Sequence, residues 1–565
     1  MSTKRKNLIE FLMLLLIILV VNFISSRVFQ RFDLTSDNRY TLKPKTEEIL
    51  KGLDGGVYFK VYLAGDMPVG LQRMQDRLKE MLDEFRIHAG DHIQYRFINP
   101  ASGRDGKERK ALFNELRKKG LRATNVKSRD EEGGYTQKVI FPGAIVNYGE
   151  KQAAVNLLKN NPGLSAEKNL NHSIQALEYK LIDAVYKLTL EEKKSIAFVT
   201  GQNELNRYQV GDISKTLSDY YRLERIDVRD HAGNLSDYRA LIVAKPRSAF
   251  SKETKYILDQ YLMRGGSLLW LIDRVQVSMD SLSVSSATMA TIEQLNLNDQ
   301  LFKYGIRINP NLVKDLQCAV IPVNTAYRGD EPQFSPSPWV YFPLLSSPNN
   351  HPINKNLNMI RTEFVSSIDT LPAYPGLKKR VLLTSSNRSQ TIQAPALVNL
   401  EEATSQPDAR SFNQQHLVTG VLLKGRFQSV FVNRFTNDLE ASTGLSFREK
   451  SSDARMIVLS DGDIIRNEVR HRPGGTMISP LGYDKYTRQT YGNKDFMLNC
   501  IHYLADKEGL INIRGKQVKM RLLDKTRVKE ERVKWQVLNV GLPILLIIVF
   551  GMIKNYLRRR KYSQF

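Results

Sequence analysis

Two apolar runs, Leu8 to Ile24 and Val537 to Ile553, stand near opposite ends of a 565-residue chain whose mean hydropathy is −0.36. The first is broken by Glu10 and Asn22, the second by Asn539. With its flanking half-polar turns, each run approaches the ~20 residues of helix that cross a hydrocarbon layer of ~30 Å. A cleaved secretory leader is the rival for the first, because Lys4, Arg5 and Lys6 form a basic n-region. Its apolar part is longer than the usual ~7 to 15 residues, however, and no A-x-A-like site follows. The second run closes on Lys554, Arg558, Arg559, Arg560 and Lys561 with no acid beyond. Short basic tails stay in the cytoplasm, whereas a long loop crosses largely regardless of its charge. Both tails are therefore expected inside, with roughly 500 residues exported between them.

The net charge of +24 invites a nucleic-acid reading, so its distribution matters. Residues 511–535 carry nine Lys/Arg against three acids and 104–130 carry ten against four; with the two tails these stretches hold most of the excess. Three of the four adjoin a predicted span, where cations orient the chain and attract anionic headgroups. The fourth, with Arg109, Lys110, Arg117, Lys118 and Lys119, reads as a solvated helix face, since no stacking aromatics accompany it. No nucleic-acid partner is expected; the lipid bilayer is.

Cys318 and Cys500 are the only cysteines, which excludes a disulfide scaffold and any C-x-x-C motif. A single disulfide between them stays open beside two unrelated buried thiols.

Periodicity orders the rest. Val57 to Leu63 alternates as a strand; Leu71 to His88 puts Leu71, Met74, Leu78, Met81, Leu82 and Phe85 on one helical face; His92 to Ile98 is a strand again. A helix over Lys107 to Lys119 ends at Gly120, Val139–Phe141 and Ala144–Asn147 flank a Pro142-Gly143 turn, and Ile174 to Leu188 is helical. This β-α-β-α-β-β-α order is that of a thioredoxin-like domain. From Lys194 strands and helices alternate: strand Ser195–Thr200, helix Val210–Tyr221, strands Leu223–Val228 and Ala240–Ala244, helix Lys252–Arg264 stopped by Gly265-Gly266, and strand Ser267–Ile272. Such alternation predicts a mostly parallel, doubly wound sheet. Residues 275–420 read as insertions and surface loops, with strands resuming at Arg380–Thr384, Val418–Leu423, Gln428–Val432 and Arg455–Leu459. The segment 509–523 alternates as a last hairpin-like strand.

Colinear motifs then carry a resemblance over nearly the whole chain. Asp33-Leu34-Thr35 with Arg39-Tyr40, Phe198 to Glu204 with Gly201, and Tyr261 to Asp273 with Gly265-Gly266 resemble the gliding-motility-associated ABC transporter auxiliary or substrate-binding proteins of the GldG type. Tyr341-Phe-Pro343, His351-Pro352-Ile353, Ser366 to Asp369, Ser460-Asp461-Gly462 and Tyr491-Gly492-Asn493 extend it. The resemblance implies an auxiliary subunit working with a separate ABC-type permease and ATPase in a bacterial inner membrane, its body periplasmic; a homo-oligomer is compatible with it. The implied organisation is an N-terminal tail and span (1–30), a connector (31–56), a thioredoxin-like domain (57–190), a doubly wound, amidotransferase-like but non-catalytic domain (194–508), a β-rich juxtamembrane segment (509–534), a second span (535–557) and a basic tail (558–565).

The chemistry looked for is sparse. No G-x-x-x-x-G-K-[ST] loop is present to cradle phosphates, and the eight histidines form no H-E-x-x-H pair. An amidotransferase would need a nucleophilic Cys on a strand-to-helix elbow with a His base, and neither cysteine has that setting. No catalytic residue, metal centre or cofactor is therefore expected. Open α/β sheets bind ligands at the carboxyl ends of their strands, where Glu204, Asp273, Asp461 and Asp463 fall. Those four acids are the candidate ligand set for a divalent ion or a carbohydrate, or for an envelope enzyme using carboxylates. The competing reading is that they start loops and cap helices.

Overall fold

The computed structural model describes residues 3–27, 41–102, 105–129, 135–159, 165–328, 331–349, 351–355, 357–372, 374–506, 513, 528 and 530–562. The chain divides into two units: Met1–Arg39 with Gln517–Phe565, and Tyr40–Lys516. The connector signature Asp33, Leu34, Thr35, Arg39 and Tyr40 lies outside the described residues, as does nearly all of the strand expected at 509–523.

In the first unit, helix α1 runs Thr3–Arg27. The other helix of that unit, Arg532–Tyr562, keeps Pro543 inside it, and its stretch Arg532–Arg560 is the one described helix long and apolar enough to cross a membrane. The apolar part described in α1 is Phe11–Asn22.

The second unit opens with α2 (Pro44–Lys51) and a four-stranded sheet. Strand β1 (Val57–Val61) is followed by α3 (Val69–Ala89), β2 (Ile93–Phe97) and α4 (Gly106–Lys118). A separate hairpin, β3 (Thr124–Arg129) and β4 (Tyr135–Ile140), precedes β5 (Gly143–Tyr148), β6 (Lys151–Asn156), α5 (Ala166–Gln175) and α6 (Leu177–Thr189). The sheet order is β2-β1-β5-β6, with β1 parallel to β2 and the other pairs antiparallel. Leu71, Met74, Leu78, Leu82 and Phe85 of α3 are buried against Val57, Phe59 and Val61 of β1 and Leu181, Ile182 and Val185 of α6, as their spacing requires. Val139–Phe141 is corrected: Pro142 separates two sheets, since β4 pairs with β3, and the fourth strand is β6. Strand β6 escaped the sequence pattern because it is an edge strand with only Val155 buried. Arg109, Lys110, Arg117, Lys118 and Lys119 are exposed on and just after α4, the solvated face expected.

Next comes a seven-stranded sheet. Strand β7 (Ser195–Thr200), α7 (Gly211–Leu217), β8 (Arg222–Asp227), β9 (Tyr238–Ala244), α8 (Lys252–Met263) and β10 (Ser267–Leu271) follow the predicted order. It is completed by β11 (Lys378–Thr384), β12 (Val418–Gly425) and β13 (Ala454–Leu459), with α9 (Asn493–Ala505) after them. The order is β11-β12-β13-β10-β9-β7-β8; the five strands from β13 to β8 are parallel, β12 runs against them, and β11, antiparallel to β12, runs with them again. Alternate side chains feed two cores. Phe198, Ile242, Leu269 and Ile457 meet Leu217 of α7 and Phe496 and Ile501 of α9, while Val199, Val243, Trp270 and Val458 meet Ile257, Leu258 and Leu262 of α8. Burial on both faces explains why these strands read as unbroken apolar runs. The stop of α8 is as expected: Ser251 caps its start, Gly265 takes φ +88° after its end, and a Cβ on Gly266 would sit 2.4 Å from the Tyr261 ring.

Two expectations fail. Gln428–Val432 is no strand: Gln428 forms an isolated bridge with Lys450, and the following turn is held by Asp259, which accepts from Ser429 Oγ (2.6 Å) and Val430 N (3.1 Å). Residues 275–420 are not mainly surface loops either. They form further β-pairs, the longest between Cys318–Arg328 and Glu331–Leu345, around a core including Leu312, Trp339, Tyr341, Phe342 and Phe364. Prolines 322, 332, 336, 338 and 343 lie within that pair and hide its period-2 pattern.

Candidate functional site

The parallel strands all present their carboxyl ends on one side, and the chain reverses direction between β7 and β9, where such sheets open a crevice. Here loop bonds close the crevice itself: Arg247 N and Ser248 N donate to Gln202 O (2.8 and 3.1 Å), and Leu205 N donates to Ala244 O (3.0 Å). Glu204 belongs to this plug. Its carboxylate accepts from Gln202 N at 2.9 Å, and burial pushes its pKa up.

The other three acids converge beside the plug. Asp273 follows β10, and Asp461 and Asp463 follow β13; ligand oxygens of all three lie within 4.8 Å of one another. Their centre is filled by the Lys245 ammonium, delivered from the end of β9. Its Nζ lies 2.8 Å from Asp273 Oδ2 and also bonds Asp463 Oδ2. Arg466 Nε meets Asp463 Oδ1 at 2.6 Å while its Nη2 meets Glu363 Oε2 at 2.8 Å. Backbone N–H groups finish the network: Gly462 N donates to Asp273 Oδ1 (2.5 Å), Glu363 N to Asp461 Oδ2 (2.8 Å) and Asp463 N to Asp461 Oδ1 (2.6 Å). Lys245 holds φ +57°, and a Cβ on Gly462 would lie 2.5 Å from Lys245 Cβ, so the glycine makes room for the lysine.

Electrostatics separates the three carboxyls. Burial raises Asp273 against the pull of Lys245. Burial, with the charges of Asp463 and Asp273, drives Asp461 well above the usual range. Asp463 stays below it, because Lys245 and Arg466 outweigh the burial that would raise it. Burial also works against the Lys245 ammonium, yet Asp273 and Asp463 together hold its pKa above normal. The network is thus an ion cluster that supplies its own cation. It borders a cleft of about 160 Å³ with Arg247, Glu293 and Phe364, which adjoins one of about 390 Å³ lined by Arg361, Glu468, Arg470 and Lys485.

Sequence reasoning found the acids and missed Lys245, Arg466 and Glu363. A Lys-Pro pair directly after a buried strand was the available signal for the first. Both cysteines are free: burial pushes the Cys318 thiol up to about 11, and Cys500 is fully buried in α9.

With that geometry in view, the comparisons become informative. Residues 193–500, which span the seven-stranded sheet and its cleft, match the ABC transporter auxiliary family, described as an ABC-type uncharacterized transport system. The chain belongs to that family. Residues 36–147 match a domain of unknown function, DUF7088. No curated protein matches. Among solved structures, the mmIFT52 N-terminal domain is similar at 13% identity over 56% of this chain and 99% of that one, but its TM-score of 0.31 carries no argument about fold.

Proposed function

We propose that the protein is a non-catalytic auxiliary subunit of an ABC-type transport complex, held in a bacterial inner membrane by a helix at each end, with both tails cytoplasmic and residues 57–508 in the periplasm. The family match over 193–500 carries this reading. The membrane-length helix Arg532–Arg560 supports the second anchor, and the basic residues flanking both apolar runs support the topology. The partners are a permease and an ATPase; the association with gliding motility rests on the GldG-type motifs alone. The thioredoxin-like reading of 57–190 is supported by the β2-β1-β5-β6 order, and the absence of cysteine before Cys318 makes that domain a binding or spacing module. The amidotransferase-like reading of 194–508 rests on the parallel strands and places no nucleophile at their ends.

Affinity purification of the full chain in mild detergent, followed by mass spectrometry, tests the partnership: a multi-span permease and an ATPase are expected with it. Recovery of the chain alone, under conditions that keep a reference ABC complex intact, would sink the reading. Topology is tested separately with the variants Ser563→Cys and Asp330→Cys. In intact spheroplasts an impermeant thiol reagent should label the second and spare the first.

A further inference from the structure

The cleft beside Lys245 continues past the ion cluster into the larger one, and the two halves share Glu363, Asp463 and Arg466 as a waist. The waist is electrically closed. Burial favours the protonated form of Asp461, which leaves Lys245, Arg361 and Arg466 facing Asp273, Asp463 and Glu363, with Arg361 3.2 Å from Glu363. The two ends are not closed. In the half of about 160 Å³ stand two further carboxylates, Asp280 in the first turn of the helix Met279–Ser285 and the half-buried Glu293, with one further cation, Arg247. Among the described residues none of the three forms an ion pair: Arg274 bonds the backbone oxygen of Glu293 and not its carboxylate, and the Arg247 charge acts on Glu293 only from a distance. Burial accordingly raises the Glu293 pKa against the pull of Arg247. In the half of about 390 Å³, Arg470 and Lys485 share the one carboxylate of Glu468 at 3.6 and 3.5 Å, longer than a hydrogen bond, and Lys485 also lies 4.8 Å from the centre of the Tyr486 ring. One end thus carries a carboxylate in excess and the other a cation in excess, around a neutral waist.

Open parallel sheets take ligands at the carboxyl ends of their strands, in clefts where a few polar groups fix the direction of the ligand. A ligand with an ammonium at one end and a carboxylate at the other gains from both ends of such a cleft, whereas a singly charged one gains from one end only. We infer that this cleft binds a short peptide lengthwise, its free ammonium toward Asp280 and Glu293 and its free carboxylate toward Arg470 and Lys485. Length separates a peptide from an amino acid. An α-amino acid carries both charges on one carbon, and Arg466 with its two carboxylates stands between the poles. An extended peptide gains ~3.3 to 3.6 Å per residue, so about three residues pass the waist. Val277, Met279 and Phe364 give its side chains an apolar wall in the smaller half. The inference rests on the proposed auxiliary role for its setting, and names the class of molecule such a complex would handle.

Calorimetric titration of the full chain in detergent tests it with tri-alanine, with N-acetyl-tri-alanine, which lacks the ammonium, and with tri-alanine amide, which lacks the carboxylate. Saturable heat is expected from tri-alanine, and each blocked form should bind about tenfold or more weakly. Glu293→Gln should weaken tri-alanine about as much as acetylation does and change the acetylated peptide little; Lys485→Gln should stand in the same relation to the amide. Asp280→Asn and Arg470→Gln serve if either variant fails to fold. No heat from tri-alanine overturns the inference, and so does equal binding of free and blocked peptides, or of wild type and variants. A chain that keeps a permease and an ATPase but binds no peptide loses this inference alone; one that binds peptide but purifies alone loses the proposed complex.

Discussion

The cleft at the strand ends and the one between α6 and α9 use the same residue types at different depths. At the ends of β9, β10 and β13, Asp273 and Asp463 meet cations at hydrogen-bond distance and Asp461 is held by backbone N–H groups, so Lys245 completes the cluster from within. Between α6 and α9 the pairs are looser and nearer the surface: Lys187 lies 3.2 Å from Asp183, Lys494 3.1 Å from Asp212 and Lys159 3.9 Å from Asp495. The first arrangement ties strand ends together from within; the second leaves each pair open to water on at least one side.

The sharpest way to break this contrast is Lys245→Met, which strands Asp273 without a cation and leaves Asp463 with Arg466 alone. A loss of about 3 to 5 kcal/mol in denaturant unfolding is expected. Adding Mg²⁺ or Ca²⁺ should restore part of that loss in the variant and leave the wild type unmoved; a metal-induced shift in the wild type would mean that an ion displaces the lysine. The next effect is at His351, whose ring packs against Tyr503 of α9. Burial, then Arg380 and Lys424, bring its pKa down to about 4. A depressed folded pKa gives stability that is present above the unfolded value near 6.5 and lost as pH falls through about 4. Unfolding free energy should rise by up to about 1.4 kcal/mol per pH unit across that window, and His351→Gln should flatten the slope. Gly462→Ala, which drives a methyl against Lys245 Cβ, should cost about 1 to 3 kcal/mol and be relieved in the Lys245→Gly background, which removes that Cβ. The smallest change is Lys355→Gln: its unfolding free energy should stay within about 0.5 kcal/mol of wild type, since burial and the charge of Lys43 already disfavour the ammonium that is removed.

Legibility followed burial. Strands at 195–200, 240–244, 267–271 and 455–459 were plain in the sequence because both of their faces are covered, and α8 because Ser251 and Gly265 mark its limits. Strand β6 was not, being a half-polar edge, and Val430 and Phe431 looked like a strand although they are buried from a turn tied to Asp259. In the candidate site the acids could be read because each sits just past a buried run. Lys245, Glu363 and Arg466 come from three distant stretches, and only the fold brings them together.

The seven-stranded sheet has one more consequence, for the order in which the molecule can be made. Strand β13 pairs with β10 in its middle, yet about 180 residues separate the two in the chain. During synthesis the free edge of β10, with Leu269 and Trp270, must wait until the whole β-rich insertion has emerged. At ~5 to 20 residues per second that wait lasts on the order of ten seconds or more, long enough for a bare strand edge to find other chains. The insertion's own core gives those residues somewhere to collapse meanwhile, and a holdase that covers apolar strand edges would be most useful in just that interval.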